Sequence, residues 1–158
     1  MRAVDPNSTN EDGDTALLLA VWHSRSSSHI DVVREILDDD RTDPNIPDDG
    51  GRTALFLAAQ NGNVPILKLL LNEGGVNRDI ADKEGGTALL VAVGREHATV
   101  VKLLLDDIGL DPNLIPDTTK NGCKTALMDA SWEGKTSMVE LLLAHERADP
   151  NMSPEPGS

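Results

Sequence analysis

Tyrosine is absent from this chain, phenylalanine occurs once and tryptophan twice, so aromatics make up only 2% of its 158 residues. With 39% hydrophobic residues the chain must build its core from aliphatic side chains and alanine. Such side chains suit thin, closely stacked helical layers. Cysteine occurs once, as Cys123, which excludes an internal disulfide and fits a reducing, cytoplasmic setting. Positive charge is scarce: 14 Lys and Arg stand against 27 Asp and Glu, a formal net charge of −13. Nucleic acid and anionic membrane both demand a basic footprint, so neither is an expected partner. The acidity serves solubility and is compatible with a basic partner surface. Neither a signal peptide nor an apolar run near 20 residues is present, so no membrane-spanning helix is expected.

What is present is organised around residues 53–71, TALFLAAQNGNVPILKLLL. Ala54, Leu55, Ala58 and Ala59 are spaced for one packed face of a short helix. Gly62 follows, where a left-handed residue can stop that helix. Asn63 can cap a second helix, and Pro65 falls in its first turn, where a missing N–H costs nothing. Ile66, Leu67, Leu69, Leu70 and Leu71 make the second helix apolar almost all round, as for a helix buried between neighbours. Two helices this short cannot bury that surface against each other, so the unit needs copies of itself on both sides.

The copies are there. Thr-Ala-Leu recurs at Thr15, Thr53, Thr87 and Thr125, at spacings of 38, 34 and 38 residues. The second-helix pattern recurs from Ile30, Val64, Ala98 and Thr136. A closing element follows each time: Asp43-Pro44-Asn45, Val76-Asn77, Asp111-Pro112-Asn113 and Asp149-Pro150-Asn151. Gly-x-Thr-x-Leu, a Gly nine residues after the Thr, a Leu-rich run and Asp-x-Asn together resemble the ankyrin repeat, about 33 residues long. The resemblance covers residues 5–151 in four copies, approximately 8–45, 46–79, 80–113 and 114–151. It implies an all-α solenoid of stacked helix–turn–helix pairs joined by β-hairpin-like loops. Residues 1–151 then form one domain, and 152–158 a flexible tail or appended residues.

The chain departs from the family pattern at several positions. The usual Thr-Pro-Leu-His reads Thr-Ala-Leu followed by Leu18, Phe56, Leu90 or Met128. Apolar contact should therefore replace the hydrogen bonds that the family's His makes. The turn glycine survives as Gly62 and Gly134 but is Ser24 in the first copy and Glu96 in the third, so those two turns should be less regular. Asp5-Pro6-Asn7 reads as the close of a preceding repeat, and the last second helix is as apolar as the internal one. Solenoid ends are normally polar caps, so the reading is a segment of a longer protein.

Two loops are longer than the pattern requires. His23 to His29 holds four extra residues and reads as a polar, Ser-rich bulge between two helices, a contact or phosphorylation loop or a tolerated insertion. Leu114 to Gly122 forms an extended finger before the fourth repeat. The runs Asp38-Asp39-Asp40 and Asp106-Asp107 follow second helices, where the helix dipole does not favour them. They lack Ca²⁺-loop spacing and read as a solvated acidic edge.

No catalytic, cofactor or metal constellation is recognised. The histidines are His23, His29, His97 and His145, and His-x5-His in a loop is not zinc-ligand spacing. Cys123 beside Lys124 occupies a turn position that is normally Gly. Gly50-Gly51 and Gly85-Gly86 each precede Thr-Ala-Leu and read as hairpin turns, not phosphate loops.

One feature rises above the scaffold. Trp22 and Trp132 both lie seven residues after their repeat's Thr, where the middle repeats hold Gln60 and Gly94. The next positions are His23, Asn61, Arg95 and Glu133. In the resembled family these positions face a concave groove, joined by hairpin positions that here hold Asp12, Asp14, Asp49, Arg52, Lys83, Glu84 and Lys124. Either the two rings are anchors for a partner segment, or they fold over the first helices and pack on the scaffold. The resemblance thus implies a non-catalytic protein-interaction scaffold, presenting a concave groove and hairpin tips to a protein or peptide. The alternative is an intramolecular regulatory or spacer segment of a larger protein. Apolar end faces add the option of end-to-end self-association.

Overall fold

The computed structural model describes residues 4–24, 27–116 and 124–152, without the side chains of Ser27 and Ser28. Cys123, most of the finger before the fourth repeat, Arg25 and Ser26 of the insertion, and residues 153–158 lie outside the described residues. Among the described residues eight helices follow one another in pairs: α1 (Ala16–Trp22) with α2 (Ser27–Leu37), α3 (Ala54–Gln60) with α4 (Val64–Asn72), α5 (Ala88–Gly94) with α6 (Ala98–Asp106), and α7 (Ala126–Trp132) with α8 (Thr136–Leu143).

Each first helix starts by the same chemistry. Thr15, Thr53, Thr87 and Thr125 are buried and extended. Their hydroxyl oxygens accept from the amides of Leu18, Phe56, Leu90 and Met128 at 3.2, 3.3, 3.2 and 3.2 Å. Each cap satisfies a donor that the helix leaves open and contributes about 1 kcal/mol. The tight turn to the second helix has one geometry in three copies. Gly62, Glu96 and Gly134 sit at φ 65, 58 and 69°, and the amides of Asn63, His97 and Lys135 bond back to Ala58, Ala92 and Ala130 at 2.9, 3.0 and 2.9 Å. The expected irregularity at Glu96 is therefore wrong. Neighbouring contacts over-determine the turn, and a non-glycine residue is held left-handed at a cost of roughly 1–2 kcal/mol. In the first repeat the Ser24 hydroxyl donates to the Val21 carbonyl at 2.6 Å. There α2 begins at Ser27 and runs 11 residues, against 9 for α4 and α6. Part of the Ser-rich insertion is thus added helix rather than a bulge.

The core is aliphatic, with Leu55, Leu57, Ile66, Leu67, Leu70, Val93, Val101 and Leu104 all nearly inaccessible. Successive first helices contact one another more extensively than successive second helices do. Small residues explain this: Ala54, Ala58, Ala88, Ala92, Ala126 and Ala130 are buried where backbones approach, while the second helices are spaced apart by leucines. Unequal spacing of two layers curves the stack, with the first helices on the concave side.

The closing elements form a polar ladder along one edge. Within each, the side chain of the first residue accepts from the amide two residues on, as Asp43 does from Asn45 at 2.9 Å and Asp111 from Asn113 at 2.9 Å. The asparagine then spans to the next repeat. Asn7 donates to the Arg41 carbonyl and accepts from the Asp43 amide, both at 2.8 Å. Asn45 does the same to Gly75 and Asn77 at 2.8 and 2.7 Å, and Asn113 to Arg147 and Asp149, both at 2.7 Å. The third rung, between those of Asn45 and Asn113, is reversed, Asn77-Arg78-Asp79. Asp79 accepts from the Asp111 amide at 3.2 Å but, as a carboxylate, has no proton to donate. Burial, with Asp111 and Asp107 adding repulsion against the amide bond and Arg78, raises its pKa.

Two substitutions follow from this geometry. Glu96→Gly should raise stability by about 0.5–1 kcal/mol in urea unfolding, the relief of left-handed strain exceeding the added unfolded-state entropy. Asp79→Asn should stabilise by about 1 kcal/mol at pH 7. Because the folded pKa of Asp79 is raised, its ionisation weakens the fold as pH rises through that pKa. The gain should therefore shrink towards zero below the ordinary carboxylate range, as urea midpoints across pH would show.

Candidate partner-binding surface

The hairpin tips and the ends of the first helices line one surface. Each described hairpin is a tight turn closed by a side chain: Asn10 caps the amides of Asp12 and Asp14, Asp48 those of Gly50 and Arg52, and Asp82 those of Glu84 and Gly86. Gly13, Gly51 and Gly85 take φ 79, 84 and 85° there. Gly51 is held to glycine twice over, since a Cβ would also lie 2.9 Å from the Lys83 amide of the next hairpin. Among the described residues these loops form no named strand, only an isolated antiparallel bridge between Thr9 and Thr15.

Both tryptophans stand on this surface. Trp22 is 46% exposed and Trp132 80% exposed, so Trp132 does not pack down on the scaffold. A hairpin cation sits over each ring: the Arg52 guanidinium 5.5 Å from the Trp22 centroid, the Lys124 ammonium 4.9 Å from that of Trp132. These stacks tie the hairpins to the helix ends. Arg52 reaches Trp22 of the preceding repeat, whereas Lys124 covers the ring of its own repeat. Between the rings lie half-exposed Gln60, exposed Asn61, exposed Arg95 and Gly94, beside which an added Cβ would meet nothing within 4 Å. His23 joins Trp22, Ser24, Asn61 and Asn63 around an open polar hollow. Lys83 is exposed at its hairpin tip. Glu133 is ion-paired with Lys135, which lowers the Glu133 pKa.

Arg52 carries a second duty. It pairs with Asp48, whose side chain is only 5% exposed, at 2.6 Å. Burial alone would raise the Asp48 pKa, but the Arg52 guanidinium and the Arg52 and Gly50 amides outweigh it and lower it.

Structural partners not foreseen in the sequence sit behind this surface. Asn63 donates to Ser24, the His97 ring lies 3.1 Å from the Gln60 carbonyl, and the Lys135 ammonium donates to the Gly94 carbonyl at 2.6 Å. One position per repeat therefore reaches back to the preceding turn. The acidic runs are also not simply solvated. Asp39 pairs with Arg41 at 2.6 Å, and Asp107 pairs with Arg78 at 3.1 Å while accepting from the Gly109 amide. Among the described residues no three His, Cys, Asp or Glu side chains converge to hold a metal ion, and no helix is long and apolar enough to cross a membrane.

Trp132→Ala should change unfolding free energy by less than about 0.5 kcal/mol, whereas Arg52→Ala, which strands Asp48, should cost about 1–3 kcal/mol. Urea denaturation of both variants checks the contrast.

Comparison with known proteins agrees with this architecture. The family described as "Ankyrin repeats (3 copies)" matches residues 2–77, 22–116 and 75–153. The ankyrin repeat domain of Bcl-3, described as a unique member of the IkappaB protein family, superposes with a TM-score of 0.83 at 30% identity, over 97% of this chain and 64% of that one. The chain thus spans less than two thirds of that domain. The ankyrin repeat protein EF0377 superposes with a TM-score of 0.75 at 27% identity, over 92% of this chain and 71% of that one. Among curated protein sequences none is significantly similar to this chain. With its four Thr-capped helix pairs and the family match over nearly its whole length, this chain belongs to the ankyrin repeat family.

Proposed function

We propose that the chain is a non-catalytic interaction module that binds a partner polypeptide along the concave surface, with Trp22 and Trp132 as anchors. The observation that carries the reading is the exposure of Trp132 at 80%, with its ring held out by Lys124. An indole left in water on a curved surface is a large, low-entropy contact waiting for apolar cover, and such residues dominate interface energetics. His23, Gln60, Asn61, Arg95 and Glu133 supply polar contacts between the anchors, and Arg52, Lys83 and Lys124 supply them from the hairpin tips. With a single cysteine, Cys123, the module suits a reducing, cytoplasmic compartment.

A second reading is favoured by the end faces. Leu19 and Val32 at one end are 37% and 48% exposed, although Leu57 and Ile66 at the same repeat positions are nearly inaccessible. Leu143 at the other end is 52% exposed where Leu105 is 1% exposed. These faces could seat neighbouring structure of a larger protein, making the segment intramolecular and regulatory, or seat a second copy end to end.

Affinity capture from lysate of the source cells, with the parent and a Trp22→Ala/Trp132→Ala variant of equal helical circular dichroism, tests the first reading. A captured protein should be lost with the variant, each Trp contributing about 1–3 kcal/mol. Equal capture by both forms would exclude the concave surface as the site.

A further inference from the structure

The joints between successive helix pairs are not tied alike along the ladder edge. Asn45 makes two bonds across the joint of the first and second pairs, and Asn113 two across that of the third and fourth, all at 2.7–2.8 Å. At the middle joint, between α3–α4 and α5–α6, the two oxygens of Asp79 share a single donor, the Asp111 amide, at 3.2 and 3.3 Å. The register of the ladder identifies what is missing. Each asparagine donates to the carbonyl two residues before the amide it accepts from: Arg41 before Asp43, Gly75 before Asn77, Arg147 before Asp149. At the middle joint that carbonyl is Gly109, and among the described residues nothing donates to it. The charges around Asp79 add to the deficit. Asp111 and Asp107 face it with like charge, and Arg78 opposes them. Arg78 is already paired with Asp107 at 3.1 Å and donates to the Val76 and Leu71 carbonyls. Arg147 is turned to the carbonyls of Leu105, Asp107 and Leu110. Asp79 and Asp111 thus lie together with no ion pair of their own among the described residues.

We infer that Asp79 is a proton-operated catch: protonated, it closes the joint between the second and third repeats, and ionised, it leaves this joint as the place where the stack opens most readily. A protonated carboxyl offers one O–H donor and one carbonyl acceptor, the same pair as an asparagine amide. One proton from water therefore supplies the bond to Gly109 and removes the repulsion from Asp111. Asp79 is only half-buried, so solvent can deliver that proton directly. Burial, aided by the two neighbouring carboxylates, raises the Asp79 pKa in the closed joint, and an opened joint returns it towards the ordinary value. Closure is therefore favoured below the ordinary carboxylate range and is lost as pH rises through the raised pKa. Asp39, Asp48 and Glu133 do not interfere, because their partners lower their pKa values and keep them charged. Coupling between neighbours is what makes a stack of repeats cooperative. Loosening this one joint divides the array into halves of two helix pairs, with Trp22 in the first and Trp132 in the second.

The tryptophans make the test possible. Trp132→Phe leaves Trp22 to report on the first half, and Trp22→Phe leaves Trp132 to report on the second. Urea unfolding of each, followed by fluorescence at about pH 5 and about pH 7.5, spans the interval above the ordinary carboxylate range. At the lower pH the two reporters should share one midpoint and one steep transition. At the higher pH their midpoints should separate, or the common slope should fall. The Lys83 amide donates to the Gly50 carbonyl at 2.9 Å across the same joint. Its hydrogen-exchange protection, corrected for the intrinsic rate, should drop roughly fivefold over the same interval, the worth of one neutral hydrogen bond. Asp79→Asn should abolish both pH effects, and Asn113→Asp should give the last joint the same pH dependence. Coincident, equally steep transitions at both pH values would overturn the inference, as would an Asn113→Asp variant without pH dependence at its joint. A pH effect that survives in Asp79→Asn would also overturn it and would assign the effect to His97, whose ring meets the Gln60 carbonyl at this joint.

Discussion

The contact between one repeat and the next is the interaction on which everything else in this molecule depends. Among the described residues no helix exceeds 11 residues, a length that is marginal in isolation, and each pair carries more apolar surface than it can cover itself. Stability is then a sum of weak units and their nearest-neighbour interfaces. The interfaces are built in three layers. Aliphatic side chains such as Leu55, Leu70, Val101 and Leu104 fill the middle, the turn residues Asn63, His97 and Lys135 tie one side, and the ladder through Asn7, Asn45 and Asn113 ties the other. Apolar burial is indifferent to small slides, whereas hydrogen bonds at both margins are not. The two polar ties therefore set the register that burial alone would leave loose.

The same interface produces the shape of the stack. Alanines between the first helices and leucines between the second ones make the stack curve. The curvature then places the ends of α1, α3, α5 and α7 beside the hairpins. Most positions on this surface are not needed for that geometry. Gly94, Arg95 and Trp132 are exposed and could be exchanged without touching the core. Scaffold and surface are thus largely separate in this chain, with Arg52 as the exception: it closes its own hairpin on Asp48 and props Trp22 at the same time.

How far the sequence reveals this follows from which forces are local. The four Thr caps, the left-handed Gly62, Asn63 as a cap and Pro65 in the first turn were legible because each depends on a few adjacent residues. The stacking was legible because periodic leucines had no other place to go. Glu96 misled because its turn is imposed by tertiary contacts rather than by its own preference. The Ser-rich insertion misled because serines, poor helix formers by intrinsic propensity, are drawn into α2 by the helix they precede. The acidic runs hid two structural carboxylates, since Asp39 and Asp107 find their arginines only after the chain has turned. For the candidate site, the repeat register identified the tryptophan positions. It could not say whether the rings lie down or stand up, because that depends on Arg52 and Lys124 arriving from hairpins.

That dependence has a physical consequence for recognition. A lysine over an indole shields one ring face from water without burying the other, so Trp132 keeps an apolar face at the surface while its orientation is restrained. A partner that covers the free face also desolvates the ammonium, and the cation–π attraction strengthens as water is excluded. Binding would thereby reinforce the contact that presents the anchor, instead of competing with it. At Trp22 the guanidinium is already committed to Asp48, so its charge is largely spent within the fold. The two anchors are therefore chemically unequal: Trp22 offers a neutralised aromatic platform beside acidic hairpin tips, and Trp132 one that retains a positive edge.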